Sequence, residues 1–270
     1  RGGPRESGGI AIGENMLIIE RRKSILDKLY REGSVKVNEL AALYGVGGET
    51  IRRDLKALAA DWDSSVVYGG AYLKNRGNVG SVQEENIIHK RKENYEAKQI
   101  IAKKAADLVV PGDIIAINSG STVEYILDYL GGKTPLSILT LNVNQAAKAA
   151  MLPGVEVYLP GGKVRSSSGM TIGPDAGDFI RNFTINKCFF GISAVSLSRG
   201  ITHPVMEEVP NNRALLSVSE KVYVVADSSK CDKLSLYSMA KLDEVDAFIV
   251  DDQFPESYRK YMALNGIEVI

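Results

Sequence analysis

The sequence predicts an α/β fold class, with a small helical N-terminal domain and a larger C-terminal domain built on a mostly parallel sheet. The length of 270 residues suits about two domains. Near the start, apolar residues recur at spacings of three and four in three short segments, which is the period of amphipathic helices. Beyond residue 93, apolar runs alternate with helical segments, the order typical of a parallel sheet covered by helices.

Residues 1–15 are glycine-rich and follow neither a helical nor a strand period. We therefore expect a disordered tail or a cloning remnant, with Met16 as the natural start.

The segment 16–73 predicts three helices followed by a hairpin. A first helix ends at Gly33, a second ends at Gly45 and a third begins near Gly48. Residues 66–73 predict two short strands around a glycine turn. This pattern makes a small, complete domain.

Residues 74–92 are polar and rich in turn formers, so we expect a linker. The remaining residues, 93–270, repeat a rhythm of strand, loop and helix. The predicted strands include 114–117, 137–140, 155–159, 188–192, 222–226 and 247–250, and the predicted helices are 93–110, 122–130, 144–151 and 255–264.

The composition excludes several protein classes. Cys188 and Cys231 stand far apart and no Cys-x-x-Cys occurs, which argues against a disulfide scaffold or a zinc ribbon. No apolar run approaches the ~20 residues of a membrane helix, and no secretory signal precedes the first helix, so we expect a cytoplasmic protein. The net charge is zero, but residues 1–76 carry +3 and the rest −3, which permits a nucleic-acid partner for the first part.

The second and third predicted helices have the tight connection of a helix-turn-helix. Ile51, Leu55 and Leu58 recur at spacings of three or four residues, so they should form the side of the third helix that packs inward. The polar residues left for its exposed side, candidates for DNA contact, are Glu49, Thr50, Arg52, Arg53 and Lys56. The alternative is a solvated helix in which Arg53 and Asp54 pair locally.

The hairpin at Tyr68, Gly69 and Gly70 is a candidate wing over the DNA backbone. The alternative is a tight turn, for which paired glycines are common. Its position directly after a helix-turn-helix favours the wing.

Small polar residues gather where strands of the second domain should end, and carboxyl ends of parallel strands are where open α/β sheets bind ligands. One such loop, 118–122, leads into a helix whose start can hold an anion such as phosphate. Each loop alone could be a helix cap or a turn, but together they predict a polyol-phosphate pocket. The candidate residues are Asn118, Ser119, Gly120, Ser121, Thr122, Asn142, Gly161, Gly162, Lys163, Glu207, Asp227 and Lys230.

Other chemistries lack their motifs. The Gly132-Lys133-Thr134 string ends like a phosphate-binding P-loop, but Leu127 occupies the position of its first glycine, and no Gly-x-Gly-x-x-Gly occurs. We therefore expect no cofactor. His89 and His203 are isolated, so we expect no metal and only a surface or capping role for them. Glu207, Glu208 and Asp227 could act as general bases on a sugar or could simply accept hydrogen bonds, and the second role is favoured.

The string from Gly45 to Leu55, with Thr50-Ile51-Arg52-Arg53-Asp54 at its centre, together with Gly69-Gly70-Ala71, resembles the signature of DeoR-type bacterial transcriptional regulators. The start, Met16-Leu17 to Glu20-Arg21-Arg22, also resembles that family. The second domain resembles the family's sensor, which is similar in fold to ribose-5-phosphate isomerase and the coenzyme A transferases. Its matching pieces are 118–122, Thr140 with Asn142, Gly161-Gly162, and 226–230.

The resemblance implies a winged helix-turn-helix regulator, usually a repressor of a carbohydrate operon, that binds an operator in double-stranded DNA and senses a phosphorylated sugar. A homo-oligomer, dimer or tetramer, is expected because such proteins bind paired half-sites. Several positions depart from the family pattern, among them the following. Gly47 replaces a capping serine, Tyr68 stands where a histidine is common, and Pro210 should interrupt a helix after Glu207.

Two alternatives from other classes remain open at this point. One is a sugar-phosphate isomerase with an accessory DNA-binding domain, in which Asp227 and Lys230 would transfer protons. The other is an N-terminal domain that serves only for association.

Overall fold

The computed structural model describes residues 17–61, 64–67, 69–73, 80–81 and 87–270. The chain divides into two compact units, Arg1–Asn78 and Val79–Ile270. The expectations for the tail 1–15, for Met16 and for Tyr68 fall outside the described residues.

In the first unit, the predicted helices and hairpin are confirmed and one further strand is present. Its elements are α1 (Ile18–Glu32), β1 (Ser34–Lys36), α2 (Val37–Tyr44), α3 (Gly48–Asp61), β2 (Ser64–Val67) and β3 (Gly70–Leu73). Strand β3 lies between β1 and β2 and is antiparallel to both. Gly33 and Gly45, which end α1 and α2, adopt φ values of 77° and 63°. Glycine is favoured there because other residues rarely adopt this left-handed conformation.

The second unit alternates strands and helices. Its elements are β4 (Gly80–Ser81), α4 (Ile87–Lys92), α5 (Tyr95–Asp107), β5 (Ile114–Ile117), α6 (Ser121–Ile126), β6 (Leu136–Thr140), α7 (Val143–Ala149), β7 (Val155–Tyr158), β8 (Lys163–Val164), β9 (Thr171–Ile172), α8 (Pro174–Ile180), β10 (Ile185–Gly191), β11 (Ala194–Ser196), β12 (Gly200–His203), α9 (Val209–Ser217), β13 (Ser219–Ala226), β14 (Lys233–Leu234), β15 (Tyr237–Ala240), β16 (Ala247–Val250), α10 (Glu256–Leu264) and β17 (Glu268–Val269).

The main sheet has seven strands in the order β17-β16-β13-β10-β5-β6-β7. Every neighbouring pair in it is parallel, which confirms the predicted architecture. Strand β5 lies inside the sheet between β10 and β6, and its residues Ile115, Ala116 and Ile117 are fully buried. The continuous apolar run that predicted this strand is what a strand covered on both faces requires. Apolar residues of α5 and α6 pack in the same core cluster as Ile115 and Ile117.

Two expectations for the second unit are corrected. The segment 74–92 is not a linker throughout, since β4 pairs with β14 and α4 contacts α6. Pro210 does not interrupt a helix after Glu207, because it lies in the first turn of α9. Proline is tolerated in the first turn because the backbone N–H groups there have no partner within the helix.

The structure also contains small elements that the sequence did not predict. Strands β11, β12 and β15 form a separate antiparallel sheet, and β8 and β9 form a two-stranded ribbon. Among the described helices, none has both the length and the apolar character needed to cross a bilayer.

Candidate functional site

Helix α3 has an inward and an outward face, as its spacing predicts. Ile51, Leu55 and Leu58 are buried, with 5% exposure or less. The outward positions carry Glu49, Arg53 and Lys56, which are exposed, and Thr50 and Arg52, which are partly exposed. The exposed face of α3 therefore combines three cations, one hydroxyl and one carboxylate.

The alternative in which Arg53 pairs with Asp54 is wrong. Asp54 is 2% exposed. Its carboxylate accepts hydrogen bonds from Arg21 Nε at 2.7 Å and from Arg22 Nε at 2.9 Å, both on α1. Asp54 thus joins α3 to α1, and Arg53 is left on the outward side. Arg52 forms an exposed ion pair with Glu49, at 3.1 Å, on the same face.

The turn before α3 is held by Gly47, whose carbonyl accepts the N–H groups of Thr50 at 2.9 Å and Ile51 at 3.3 Å. A Cβ at Gly47 would meet no atom within 4 Å. The serine usual in the family would therefore fit at this position without a clash.

The two wing glycines have different roles. Gly69 is exposed, and its carbonyl accepts the N–H of Val37 at 2.8 Å. Gly70 is buried, and a Cβ there would lie 2.0 Å from the carbonyl oxygen of Val35. Gly70 is therefore explained by the close approach of β3 to β1, whereas Gly69 remains available at the surface.

In the second unit, the ends of β5, β6 and β10 meet through two asparagines. Asn118 Nδ2 donates to the Gly191 carbonyl at 2.9 Å, and Gly191 N–H donates to Asn118 Oδ1 at 2.8 Å. Asn142 Nδ2 donates to Ser119 Oγ at 2.9 Å. Asn142 Oδ1 caps α7 by accepting the N–H of Asn144 at 2.9 Å. The sequence-predicted residues Asn118, Ser119 and Asn142 are therefore brought together at the carboxyl edge of the sheet.

The loop that contains Ser168 closes over this edge. The carbonyl of Ser168 accepts hydrogen bonds from Asn142 Nδ2 at 2.7 Å and from Ser119 Oγ at 3.3 Å. The hydroxyl of Ser168 donates to Glu208 Oε1 at 2.6 Å. Sequence reasoning missed Ser168, although the run Ser166-Ser167-Ser168-Gly169 marks a loop rich in hydroxyls.

Glu208 is the centre of a buried polar cluster. It is 4% exposed and also accepts hydrogen bonds from Arg165 Nη1 at 2.8 Å and from His203 Nε2 at 2.9 Å. Burial alone would raise the pKa of Glu208, but the hydrogen bonds from His203, Ser168 and Arg165 outweigh it and lower the pKa to about 2. The expectation of a surface or capping role for His203 is wrong, because this histidine is a partner of a buried carboxylate.

Gly161, Gly162 and Lys163 lie apart from that edge in their contacts, and Glu207 is connected to it through Arg165, whose Nε lies 3.3 Å from Glu207 Oε2. All four are exposed, and Lys163 Nζ is 3.6 Å from Glu207 Oε1. Gly162 has a φ of 128°, and a Cβ there would lie 2.9 Å from the Ile172 carbonyl oxygen, so its role is conformational. No hydrogen bond between described residues joins this group to Asn118, Ser119 or Asn142.

Ser121 and Thr122 begin α6 and are each 7% exposed. The N–H groups in a first helical turn lack acceptors within the helix. Gly120, just before them, accepts Gln145 Nε2 at 3.2 Å through its carbonyl. The backbone N–H groups of the loop 118–122 thus lie at the edge of the sheet, while the Gly120 carbonyl and the side chains of the loop form hydrogen bonds with neighbouring segments.

Asp227 and Lys230 follow β13 in a short 3-10 turn. Asp227 is 1% exposed, and its Oδ1 accepts the N–H of Ser229 at 3.1 Å and Asn94 Nδ2 at 3.0 Å. Its Oδ2 is buried and has no donor among the described residues. Sequence reasoning missed two neighbours of this turn, Asn94 and Lys98. Both lie more than a hundred residues away from it in the sequence. The helical spacing of Lys98 with the buried Ile101 and Ala102 could have marked it as buried, but nothing marks Asn94.

Comparison with known proteins identifies both units. Residues 21–76 match the family model described as the DeoR-like helix-turn-helix domain, and residues 93–252 match the DeoR C terminal sensor domain. The chain belongs to the DeoR family. A protein of Escherichia coli O157:H7, provisionally named an aga operon transcriptional repressor, is 34% identical over 93% of both chains. The glycerol-3-phosphate regulon repressor of Escherichia coli K12 is 30% identical over 93% of this chain and 97% of its own.

These DeoR relatives are named as transcriptional regulators and not as enzymes, which decides against the isomerase alternative. A solved ribose 5 phosphate isomerase A from Neisseria gonorrhoeae is similar over 50% of this chain and 52% of its own, with 20% identity and a TM-score of 0.38. The resemblance to the DeoR family and the fold class are both confirmed. In this DeoR-family chain, α2 and α3 form the helix-turn-helix, and the parallel sheet belongs to the sensor domain.

Proposed function

We propose that this protein is a repressor that binds an operator in double-stranded DNA and is controlled by a phosphorylated sugar or polyol. The observation that carries the proposal is the exposed face of α3, where Arg52, Arg53 and Lys56 project opposite a fully buried apolar face. The names of its relatives, repressors of the aga operon and of the glycerol-3-phosphate regulon, support the same role.

Operator binding is assigned to residues 16–73 and effector sensing to residues 93–270, with 74–92 between them. A helix of this kind enters the major groove with its N-terminal residues toward the bases. Thr50 and Arg52 lie in that first part of α3 and contact base edges, while Arg53 and Lys56 contact phosphates. Glu49 accepts from a cytosine amine or orients Arg52, its ion-pair partner.

The wing adds contacts beside the groove. Tyr68 and Gly69 lie at the tip of the β2–β3 hairpin in the sequence, and Gly69 is exposed. Gly70 contributes indirectly, because its close approach to Val35 fixes how closely β3 of the hairpin packs beside β1.

The effector lies at the carboxyl edge of the parallel sheet. Its phosphate accepts hydrogen bonds from backbone N–H groups of residues 119–122 and is drawn by the charge of Lys230. Asn142 lines the same edge, and Asp227 accepts from a sugar hydroxyl. Glu207 and Lys163 act at the outer rim, since both are exposed. Asn118, Gly161 and Gly162 shape the loops.

Two copies of the chain bind as a homo-oligomer on paired half-sites, because one recognition helix covers only a few base pairs. The effector then changes how the two DNA-binding units are presented.

A paired-variant experiment tests operator binding. An operator is selected from random duplexes with the full chain, and its affinity is measured by fluorescence anisotropy. The variant Arg52→Ala with Arg53→Ala should lose about 1–3 kcal/mol per base contact, and more if phosphate contacts are lost as well. The control is Arg181→Ala with Arg199→Ala, which removes the same charge from exposed positions of the second unit. Equal affinity of both double variants contradicts the proposal.

A thermal-shift screen tests the effector. The panel consists of ribose 5-phosphate, glucose 6-phosphate, fructose 6-phosphate and glycerol 3-phosphate, with the unphosphorylated compounds as controls. A ligand at 100 times its dissociation constant stabilises the fold by about 2.7 kcal/mol. Stabilisation by a phosphorylated compound and not by its parent supports the proposal, and no shift with any of them contradicts it.

A further inference from the structure

Helix α4 lies next to both parts of the sensor unit to which we assign effector binding: it bonds to α6, which begins in the loop 118–122, and Asn94, two residues after it, bonds to the Asp227 turn. In chain order it follows the residues that join the two units. Arg91 on α4 forms a two-pronged ion pair with Glu124 of α6, with both hydrogen bonds at 2.9 Å. The Arg91 carbonyl also accepts the hydroxyl of Tyr125 at 3.0 Å. Such forked pairs fix orientation as well as distance.

The second attachment of α4 runs through α5 to the turn after β13. Lys98 of α5 is 1% exposed, and its Nζ donates to the carbonyl of Lys90 on α4. Asn94, between α4 and α5, donates to both Asp227 Oδ1 at 3.0 Å and Ser229 Oγ at 3.1 Å. Helix α4 is thus bonded to α6 through Glu124 and Tyr125 and to α5 through Lys98, while Asn94, between α4 and α5, is bonded to the Asp227 turn.

The surroundings of Lys98 are incomplete in a way that indicates a ligand. Asp227 Oδ2 is buried without a donor among the described residues, and an unpaired buried carboxylate oxygen is costly. Burial lowers the pKa of Lys98, and the nearby charge of Lys230 lowers it further, while Asp227 opposes both. A buried ammonium group that feels the charges of both Lys230 and Asp227, together with the unpaired Asp227 oxygen, matches a ligand that carries an anionic group beside a hydroxyl group.

We propose that Lys98 is a further effector-binding residue, whose ammonium group moves from the Lys90 carbonyl to the anionic group of the effector and so breaks the bond between α5 and α4. The inference rests on the proposed function, since it needs an anionic effector at the same loops. A ligand hydroxyl donates to Asp227 Oδ2, and the anion relieves the repulsion between Lys98 and Lys230. Arg91 keeps α4 attached to α6, so movement of the loop at the start of α6 is passed on to the segment that leads to the DNA-binding unit.

The test compares Lys98→Met with Lys104→Met in the full chain. Methionine keeps much of the length of lysine but removes the charge and the donor. Lys104 is a matched control, because it lies on the same helix and its Nζ also donates to a backbone carbonyl, that of Val250 at 3.0 Å. The probes are inorganic phosphate, ribose 5-phosphate, glucose 6-phosphate and glycerol 3-phosphate, with binding measured by calorimetry and operator affinity by anisotropy.

Lys98→Met should weaken binding of the anionic probe about tenfold or more, the equivalent of one charge-assisted hydrogen bond, while Lys104→Met should bind like the wild type. Arg91→Met, which changes a partly exposed side chain, should bind the probe normally and lose most of the probe's effect on operator affinity. Wild-type binding by Lys98→Met, or a wild-type operator response by Arg91→Met, overturns the inference alone. If no probe binds the wild type, the inference and the proposed effector fail together.

Discussion

Replacing Asp54 with alanine should destabilise the first unit strongly, because it leaves two arginines of α1 without their partner. Asp54 is 2% exposed and its side chain meets Arg21 Nε at 2.7 Å. The Arg21 side chain is 9% exposed, whereas that of Arg22 is 36% exposed and can return to water. Removing one partner of a buried pair typically costs about 3–5 kcal/mol.

That cost is large compared with the stability of so small a unit. A domain of this size is expected to be stable by roughly 3–9 kcal/mol. For 60–100 residues, each kcal/mol changes the melting temperature by roughly 4–8 °C. Asp54→Ala should therefore lower the melting temperature of the first unit by tens of degrees and leave it partly unfolded near room temperature.

Hydrogen exchange measured by mass spectrometry can localise the effect in the full chain. Peptides from α1 and α3 should exchange much faster in Asp54→Ala, and peptides from α5 should stay unchanged. The control is Glu49→Ala, which breaks the exposed pair with Arg52 on the same helix and should cost no more than about 0.5 kcal/mol. If peptides from α1 and α3 exchange as slowly in Asp54→Ala as they do in Glu49→Ala, Asp54 does not hold the two helices together.

Three further predictions concern single residues. Gly70→Ala should cost more than about 2 kcal/mol in urea unfolding, because its Cβ would lie 2.0 Å from the Val35 carbonyl oxygen, while Gly69→Ala, with no atom within 4 Å, should stay within about 0.5 kcal/mol of the wild type. Gly47→Ser should stabilise the first unit by a few tenths of a kcal/mol or more through a better helix cap, and a lowered melting temperature would contradict this. The carboxylate of Glu208 has a pKa of about 2 in the folded chain, so its stabilising contribution is full above about pH 4.5 and is lost as the pH falls toward 2. Between pH 6 and pH 2.5, the wild type should lose more of its free energy of unfolding, by about 2 kcal/mol, than Glu208→Gln, and equal losses would show that the cluster does not depend on that charge.

The sequence predicted those elements whose pattern is set by burial alone. Helix α3 follows from the spacing of Ile51, Leu55 and Leu58, and β5 follows from an apolar run that only a doubly covered strand needs. Strand β1 was not predicted, because three residues are too few to show a period. The short strands β8, β9, β11 and β12 were not predicted for the same reason.

The candidate sensor site was predicted only in part. Loops at the ends of strands were found because their small polar residues stand out beside apolar runs. Their partners come from distant segments, as with Ser168 and Glu208, which are 40 residues apart and joined by a 2.6 Å hydrogen bond. Lys98 lies at the helical spacing of the buried residues Ile101, Ala102 and Ala105, but a lysine in that pattern gives no sign of the distant groups that it faces.

The most direct test of effector-controlled operator binding is a titration of the protein–operator complex with sugar phosphates at fixed salt. Labelled operator duplex is bound by the full chain, and its anisotropy is followed as each member of the panel is added. At least one phosphorylated compound should change the operator affinity by about 5–150-fold, the usual range of coupling between two sites, and its unphosphorylated parent should not. An operator affinity that no sugar phosphate alters, at concentrations that saturate the protein in calorimetry, would contradict the account.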